Sequence, residues 1–398
     1  MIVSKVLFYT FGKALELGGL ALILFFIAGQ VTPEDYALLM PYLLAISIST
    51  MFYSGLGGSF VKEFSLCDPT EQQARLKRFL SQSILIGVVM SLMLSIFFND
   101  FEFLVLLLVS VFANAFRSFG QSNYRAKLDE KSLVKFNFVY PIGTILSYII
   151  LFYFTDQPPV ELYIVGSAIG FSGSALYVAI KYILALKPSF VVHLEHWKLP
   201  LRHLLLNMSI FLIIMTDKFL VLNLEESVFI GAYQLYENFS NLFYMGISSI
   251  LFLCTPILLK KFKGNKGVLL LKYQALFSLA VIVTGLIYCM VSVFVLQIFY
   301  PEYSDYIFAF FIQLVIKVSA ILMYLPSVYY MFNNKEFSFS LIVYVTFLVF
   351  VALAAIVVFL FGVVDTSILL FGLALFTFTS AILLNFKISM KSEEGGWS

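Results

Sequence analysis

The sequence predicts an all-α integral membrane protein with about twelve transmembrane helices, divided into two halves of six. Three observations carry this expectation. Of 398 residues, 61% are hydrophobic and 12% charged, with a mean hydropathy of +0.97, which leaves too little polar material to coat a water-soluble globule. The apolar residues form continuous runs, each long enough to cross a hydrocarbon core of about 30 Å at about 1.5 Å per helical residue. Lys and Arg are then confined to every second connection between those runs.

The runs lie at approximately 8–30, 36–57, 79–98, 101–122, 134–155, 161–184, 202–222, 228–258, 268–299, 306–331, 337–361 and 366–387. They are unbroken and rich in Leu, Phe and Ile rather than alternating, so helices, not barrel strands, satisfy their backbone groups. Three of them, 228–258, 268–299 and 306–331, exceed a membrane thickness and are expected to tilt, kink or project as helix.

Orientation follows from the connections. Those at 31–35, 99–100, 156–160, 223–227, 300–305 and 362–365 contain no Lys or Arg but hold acids such as Glu34, Asp35, Asp156, Glu225, Glu226, Glu302 and Asp365. The alternate connections carry Lys62, Arg75, Lys77 and Arg78, then Arg125, Lys127, Lys131 and Lys135, then Lys187, Lys198 and Arg202, then Lys260, Lys261, Lys263 and Lys266, then Lys335. Positive residues mark the cytoplasmic side, so both termini are expected inside. A miscounted span would break this alternation. Met1–Lys5 has no short apolar core with a separate cleavage site after it, so the first span is expected to be retained.

The most polar stretch before the tail is "LKPSFVVHLEHWKLPLRH" at 186–203. It splits the chain into expected bundles at 1–190 and 191–398. Six is even, so both halves enter the membrane alike, as a parallel repeat would; "FYSGL" in 25–57 falls opposite "FYMGI" in 218–250. Connections outside the membrane are short, so function must sit within the helices. His193, His196 and His203 in that stretch are expected to be solvated. Cys67, Cys254 and Cys289 match neither a metal spacing nor a disulfide framework and are expected to be packing thiols. No metal site is expected. The net charge of +2 sums a basic face and an acidic one, so it gives no reason to expect a nucleic-acid partner.

Charges within the runs are costly, about 2.5–3.5 kcal/mol each near the bilayer centre on insertion scales. Lys13 and Arg117 lie roughly 5–6 Å from the cytoplasmic boundary, where long side chains can snorkel out. Glu16 is deeper, one turn beyond Lys13, so it either pairs with Lys13 or lines a cavity. Asp217 lies roughly 9 Å below the outer boundary, Glu237 about 13 Å and Lys317 about 15 Å. Asp217 and Lys218 are adjacent and point about 100° apart, so each needs a partner on another helix. Lys218 can alternatively reach the outer interface. Asp217, Glu237 and Lys317 are expected to face a bundle interior or a water-filled cavity, as a functional group or as a buried ion pair. Pro141, Pro256 and Pro326 can kink helices, and Asn114, Asn137, Gln234, Asn238 and Gln313 can line a cavity or join helices.

Three stretches carry a resemblance. They are "QVTPEDYALLMPYLLAISI" at 30–48, "FGQSNYRAKLDEKSLVKF" at 119–136, and "TDKFLVLNLEESVFIGAYQLYENF" at 216–239. The last is similar to an Asp-Arg/Lys pair late in a seventh helix followed by Gly-x-Tyr opening the eighth, here Asp217, Lys218, Gly231 and Tyr233. Together they resemble the polysaccharide-transport branch, the O-antigen (Wzx-type) flippases, of the multidrug/oligosaccharidyl-lipid/polysaccharide exporter superfamily. One departure is Ala37, where that family usually has Gly after the Tyr corresponding to Tyr36. The resemblance implies two six-helix bundles around a central cavity that opens alternately to either side of the bacterial inner membrane. It implies a cargo of oligosaccharide linked through pyrophosphate to a polyprenyl lipid, with membrane lipids and other polysaccharide-assembly proteins as partners.

On that reading Lys317, Lys218, Lys13 and Arg117 would attract pyrophosphate or acidic sugars. Asp217, Glu237 and Glu16 would balance them, bind hydroxyls, or exchange a coupling H+ or Na+; no cofactor is expected. The alternatives are a drug or cation antiporter of the same superfamily, which would favour acids over cations, a membrane polymerase, ligase or glycosyltransferase, and a non-transporting scaffold. A membrane enzyme would need a sizeable outer loop or an acid/base cluster, so an enzyme is not expected.

Overall fold

A computed structural model describes residues 18–68, 70–188, 194–262, 267–333, 335–361 and 365–393. In chain order the helices are α1 (Gly18–Ala28), α2 (Pro33–Tyr36), α3 (Leu39–Leu66), α4 (Gln72–Phe97), α5 (Leu104–Ala126), α6 (Glu130–Asn137), α7 (Val139–Phe154) and α8 (Pro159–Val178). A π-helical turn (Ala179–Ile183) then runs into α9 (Leu184–Leu186). There follow α10 (Lys198–Leu224), α11 (Ser227–Phe262), α12 (Gly267–Phe299), α13 (Ile307–Leu322), α14 (Tyr324–Phe332), α15 (Glu336–Phe361) and α16 (Thr366–Glu393). Among the described residues there are no strands, and ten helical stretches are long and apolar enough to cross a membrane. With α1 and the 36-residue α11 this is the expected all-α arrangement of twelve.

Many helices overrun their apolar runs. The rod of α3 continues to Leu66 and α4 starts at Gln72, so Lys62, Arg75, Lys77 and Arg78 of the first basic connection stand on helix. Large side chains such as Phe359, Ile96 and Met290 are 88%, 75% and 75% exposed, an apolar exterior that suits hydrocarbon and not water.

The chain divides into two compact units. The first comprises residues 1–31 and 38–208, the second 32–37 and 209–398. The division therefore falls inside α10 rather than at 190. The reason is local: the start of α10 packs into the first unit, with Asn207 Nδ2 donating to Ser54 Oγ at 2.9 Å and Gly55 against the Leu204 backbone. His203 lies on this first part of α10 and is 3% exposed, its Nδ1 3.1 Å from the Leu199 carbonyl and its ring beside Gly58. It is packed, not solvated, because the helix begins a turn earlier than its apolar run. His193 lies outside the described residues.

Within the first unit, α3, α4, α5, α7 and α8 pack side by side. Where α7 meets α8 the sequence places Gly143 opposite Gly170, and Gly166, one turn before Gly170, against the backbone of Thr144 and Tyr148. A Cβ on Gly143 would stand 2.9 Å from the Gly170 Cα, and one on Gly170 2.6 Å from the Tyr140 carbonyl. Close backbone approach through small residues is how helices associate where lipid gives no hydrophobic drive. Asn114 Nδ2 donates to Thr50 Oγ1 at 2.7 Å, and Gln121 Nε2 to Asn137 Oδ1 at 3.0 Å, so both expected cavity liners here join helices. Cys67 and Cys289 are free thiols; the Cys254 side chain lies outside the described residues.

The second unit packs α11 against α2 and α13, and α13 against α12 and α16. At Met323 the helix is interrupted between α13 and α14, three residues before Pro326. Proline lacks an N–H and frees the carbonyl four residues back, that of Leu322. Asn385 Nδ2 on α16 reaches it at 3.3 Å. The Thr32–Ala37 segment is embedded here: Tyr36 is fully buried, its hydroxyl accepting from Asn238 Nδ2 at 2.7 Å. A Cβ on Gly231 would fall onto the Pro33 carbonyl. The departure at Ala37 leaves the α2 turn intact, its N–H bonding back to Pro33 O at 3.1 Å.

Candidate functional site

Among the described residues five Asp, Glu, Lys or Arg side chains are buried, and four of them meet at one place in the second unit. Asp217, Lys218, Glu237 and Lys317 are 0%, 3%, 2% and 1% exposed; the fifth, Glu336, stands at the start of α15. Three helices each present two residues. On α11, Tyr233 and Glu237 are four apart and share a face, as do Gln313 and Lys317 on α13. On α10, Asp217 and Lys218 diverge by about 100°, and both find partners on α11.

Glu237 is the hub. Its Oε1 accepts Lys218 Nζ at 2.6 Å and Lys317 Nζ at 2.8 Å. Lys218 Nζ also lies 3.4 Å from the Ile214 carbonyl and 2.9 Å from Met215 Sδ. The alternative of Lys218 reaching the outer interface is therefore not realised; Glu237 on the adjoining helix holds its ammonium inside. Asp217 Oδ2 accepts the Tyr233 hydroxyl at 2.7 Å. The Tyr233 carbonyl accepts Gln313 Nε2 at 3.0 Å, and Ser240 Oγ lies 3.4 Å from Gln313 Oε1. Lys317 Nζ sits 5.7 Å from the centre of the Tyr244 ring, within cation–π reach.

Two lysines and two carboxylates sum to zero when ionised, so the cluster compensates itself, as a buried charged group must. Compensation is not saturation. Asp217 Oδ1 and Glu237 Oε2 are buried and meet no hydrogen-bond donor, two acceptors aimed where a proton or a polar ligand would be held. The arrangement can bind and exchange charge; among the described residues no set of three His, Cys, Asp or Glu could hold a metal.

Of the other expected charges, Arg117 is half-buried on α5 in the first unit. Its guanidinium lies 4.7 Å from the Tyr140 ring centre and 5.8 Å from that of Phe171. It stands over aromatic rings of its own unit. Lys13 and Glu16 lie outside the described residues. Gln234 and Asn238 form a chain, Gln234 Nε2 to Asn238 Oδ1 at 3.0 Å and Asn238 to Tyr36. Sequence reasoning did not single out Tyr233 as the donor to Asp217, although its four-residue spacing from Glu237 is the signal that puts both on the face toward α10.

This architecture defines a class. No protein-family profile matches the chain, and no curated protein matches it by sequence, but its fold is that of the transporters of the multidrug/oligosaccharidyl-lipid/polysaccharide (MOP) superfamily. An inward-facing multidrug resistance MATE transporter of that superfamily superposes with a TM-score of 0.67 at 13% identity, covering 96% of this chain and 95% of the other. A MOP superfamily transporter from Pyrococcus furiosus Vc1 (DSM3638), described as having a binding pocket of reverse polarity that suggests a different function, gives 0.67 at 14% identity over 98% and 95%. A variant of the Vibrio cholerae MATE transporter VcmN gives 0.64 at 15% over 99% and 97%. The chain is thus a multi-pass membrane protein of transporter fold.

Proposed function

We propose that the protein is a flippase, which moves polyprenyl-pyrophosphate-linked oligosaccharide units from the cytoplasmic to the outer leaflet of a bacterial inner membrane by alternating access. The basic connections support a cytoplasmic location for both termini. The observation that carries the reading is the pair of lysines, Lys218 and Lys317, gathered on Glu237 at membrane depth. A carrier of soluble cations has little use for buried ammonium groups, whereas an anionic headgroup needs them. The reverse-polarity pocket ascribed to the Pyrococcus furiosus transporter supports the idea that this fold also serves cargoes other than cationic drugs.

In this mechanism Lys218 and Lys317 contact the pyrophosphate or acidic sugars and exchange Glu237 for them. Asp217 and Glu237 hold or release a coupling H+ or Na+; on the same reading Arg117 and Lys13 add attraction for the anionic headgroup, and Glu16 balances them. Other polysaccharide-assembly proteins would supply and consume the cargo, and the chain itself catalyses no covalent step. A second reading, a multidrug or cation antiporter, is favoured by the donor-free oxygens of Asp217 and Glu237 and by the multidrug resistance transporters among the similar folds.

Transbilayer movement of a lipid-linked oligosaccharide in proteoliposomes separates the two. The flippase reading expects movement that falls at least tenfold in Lys317→Met and Asp217→Asn proteins that insert normally. Undiminished movement in Lys317→Met removes the role given to that lysine. Transport of a cationic drug with no movement of lipid-linked glycan establishes the antiporter.

A further inference from the structure

A second group of charges lies at the lysine-rich end of the first unit. After Val178 the α8 rod widens into the π-turn Ala179–Ile183. Single π-turns inside helices recur at functional positions because the wider turn re-aims a side chain. Here it sets Lys181 among three tyrosines from two helices. Lys181 Nζ donates to Tyr124 Oη at 2.8 Å and to Tyr177 Oη at 3.2 Å. It also lies 5.1, 5.4 and 5.5 Å from the ring centres of Tyr124, Tyr177 and Tyr182. Asn123 Nδ2 steadies Tyr182 through its hydroxyl at 2.9 Å.

The donors outnumber the acceptors. An ammonium carries three N–H groups; Lys181 turns them toward the hydroxyls of Tyr124, Tyr177 and Tyr182 while staying open to solvent. The two phenol oxygens that accept from it lie 3.2 Å apart, so one O–H can serve the other and one remains. Lys181 forms no ion pair among the described residues, and it and Tyr177 are exposed. Lys127, Lys131 and Lys135 are exposed on the adjoining turn and α6. Lys127 is held below the usual lysine range, first by partial desolvation and then by the ammonium of Lys181. The acids nearby are Asp129, whose Oδ1 accepts the Ser132 N–H at 3.1 Å as the cap of α6, and Glu130. The local balance is positive. Immediately beside Tyr177 and Lys181, Leu176, Ile180 and Leu184 are 61%, 65% and 76% exposed, a stripe of apolar side chains along the same rod.

We infer that Lys181, Tyr177 and Tyr124, flanked by Lys127 and Lys135, bind the phosphate of an anionic membrane phospholipid, whose acyl chain lies along Leu176, Ile180 and Leu184. Phosphate oxygens accept from the exposed Lys181 ammonium and from a phenol O–H, and the flanking lysines neutralise the headgroup. Free phosphate offers the same oxygens but leaves the apolar stripe unused, which is why a lipid is the occupant. The site requires only that the chain sit in a bilayer and stands whether or not the cargo is a lipid-linked glycan.

Native mass spectrometry of the full chain in detergent, titrated with palmitoyl-oleoyl phosphatidylglycerol, tests it. Lys181→Gln is expected to weaken the tightest lipid by about fivefold, the usual effect of one basic residue at a membrane surface. Tyr177→Phe should weaken it measurably, Lys181→Arg should retain it, and Lys335→Gln, in the other unit, should not change it. Millimolar inorganic phosphate should not displace the lipid. Equal binding by wild type and Lys181→Gln overturns the inference, as does displacement by inorganic phosphate, which would make the site one for the free anion. If Lys181→Gln fails to fold, the contrast between Lys181→Arg and Tyr177→Phe decides, since a structural loss at Lys181 leaves the phenol's effect on lipid intact.

Discussion

Glu237 accepts two ammonium groups through one oxygen while its other oxygen meets no donor. Removing its charge strands two lysines that are 3% and 1% exposed, and breaking a buried ion pair from one side costs about 3–5 kcal/mol. Glu237→Gln is therefore expected to lower the thermal midpoint in detergent by several degrees. Adding Lys317→Met, which removes one stranded charge, should restore part of it. A double variant no more stable than the single would show that the lysines are not the source of the cost. The need for partners on other helices was readable from the adjacency of Asp217 and Lys218 alone. That a single carboxylate would gather both lysines was not, because sequence spacing fixes which face a residue occupies but not which neighbouring helix that face meets.

At the scale of the element, a helix break is tolerated when a neighbour satisfies the backbone it frees. Pro326 releases the Leu322 carbonyl, and Asn385 on α16 takes it up at 3.3 Å. Interhelical hydrogen bonds in membranes are worth about 0.6 kcal/mol on average and up to about 1.7. Asn385→Leu should cost an amount in that range with Pro326 present and clearly less in a Pro326→Ala background, where the helix closes its own bond; a double-mutant cycle on thermal midpoints measures the coupling. Equal costs in both backgrounds would detach Asn385 from the proline. The interruption was legible from the proline, and the twelve spans from hydropathy and the alternation of basic connections. The helix ends were not. Polar residues such as Gln72 and Lys198 continue helices beyond the apolar run, since hydropathy reports where lipid is and not where backbone hydrogen bonds stop.

For the molecule as a whole, the two units are not two consecutive halves of the chain. Residues 32–37 belong with residues 209–398, held by Tyr36 on Asn238 and by the seat that Gly231 leaves for the Pro33 carbonyl. Gly231→Ala puts a methyl onto that carbonyl and is expected to cost about 1–3 kcal/mol, the range for overpacking, read as a lowered thermal midpoint; an unchanged midpoint would mean the segment is not clamped there. The polar stretch at 186–203 was a reasonable place to divide the chain, but a composition change cannot reveal that six residues are exchanged out of order. That exchange has a consequence for biosynthesis. Tyr36 and Asn238 are 202 residues apart, so at about 5–20 residues per second the ribosome delivers the second roughly 10–40 s after the first. Until then the Thr32–Ala37 segment has no binding site, and the nascent first unit waits with one of its connections unplaced.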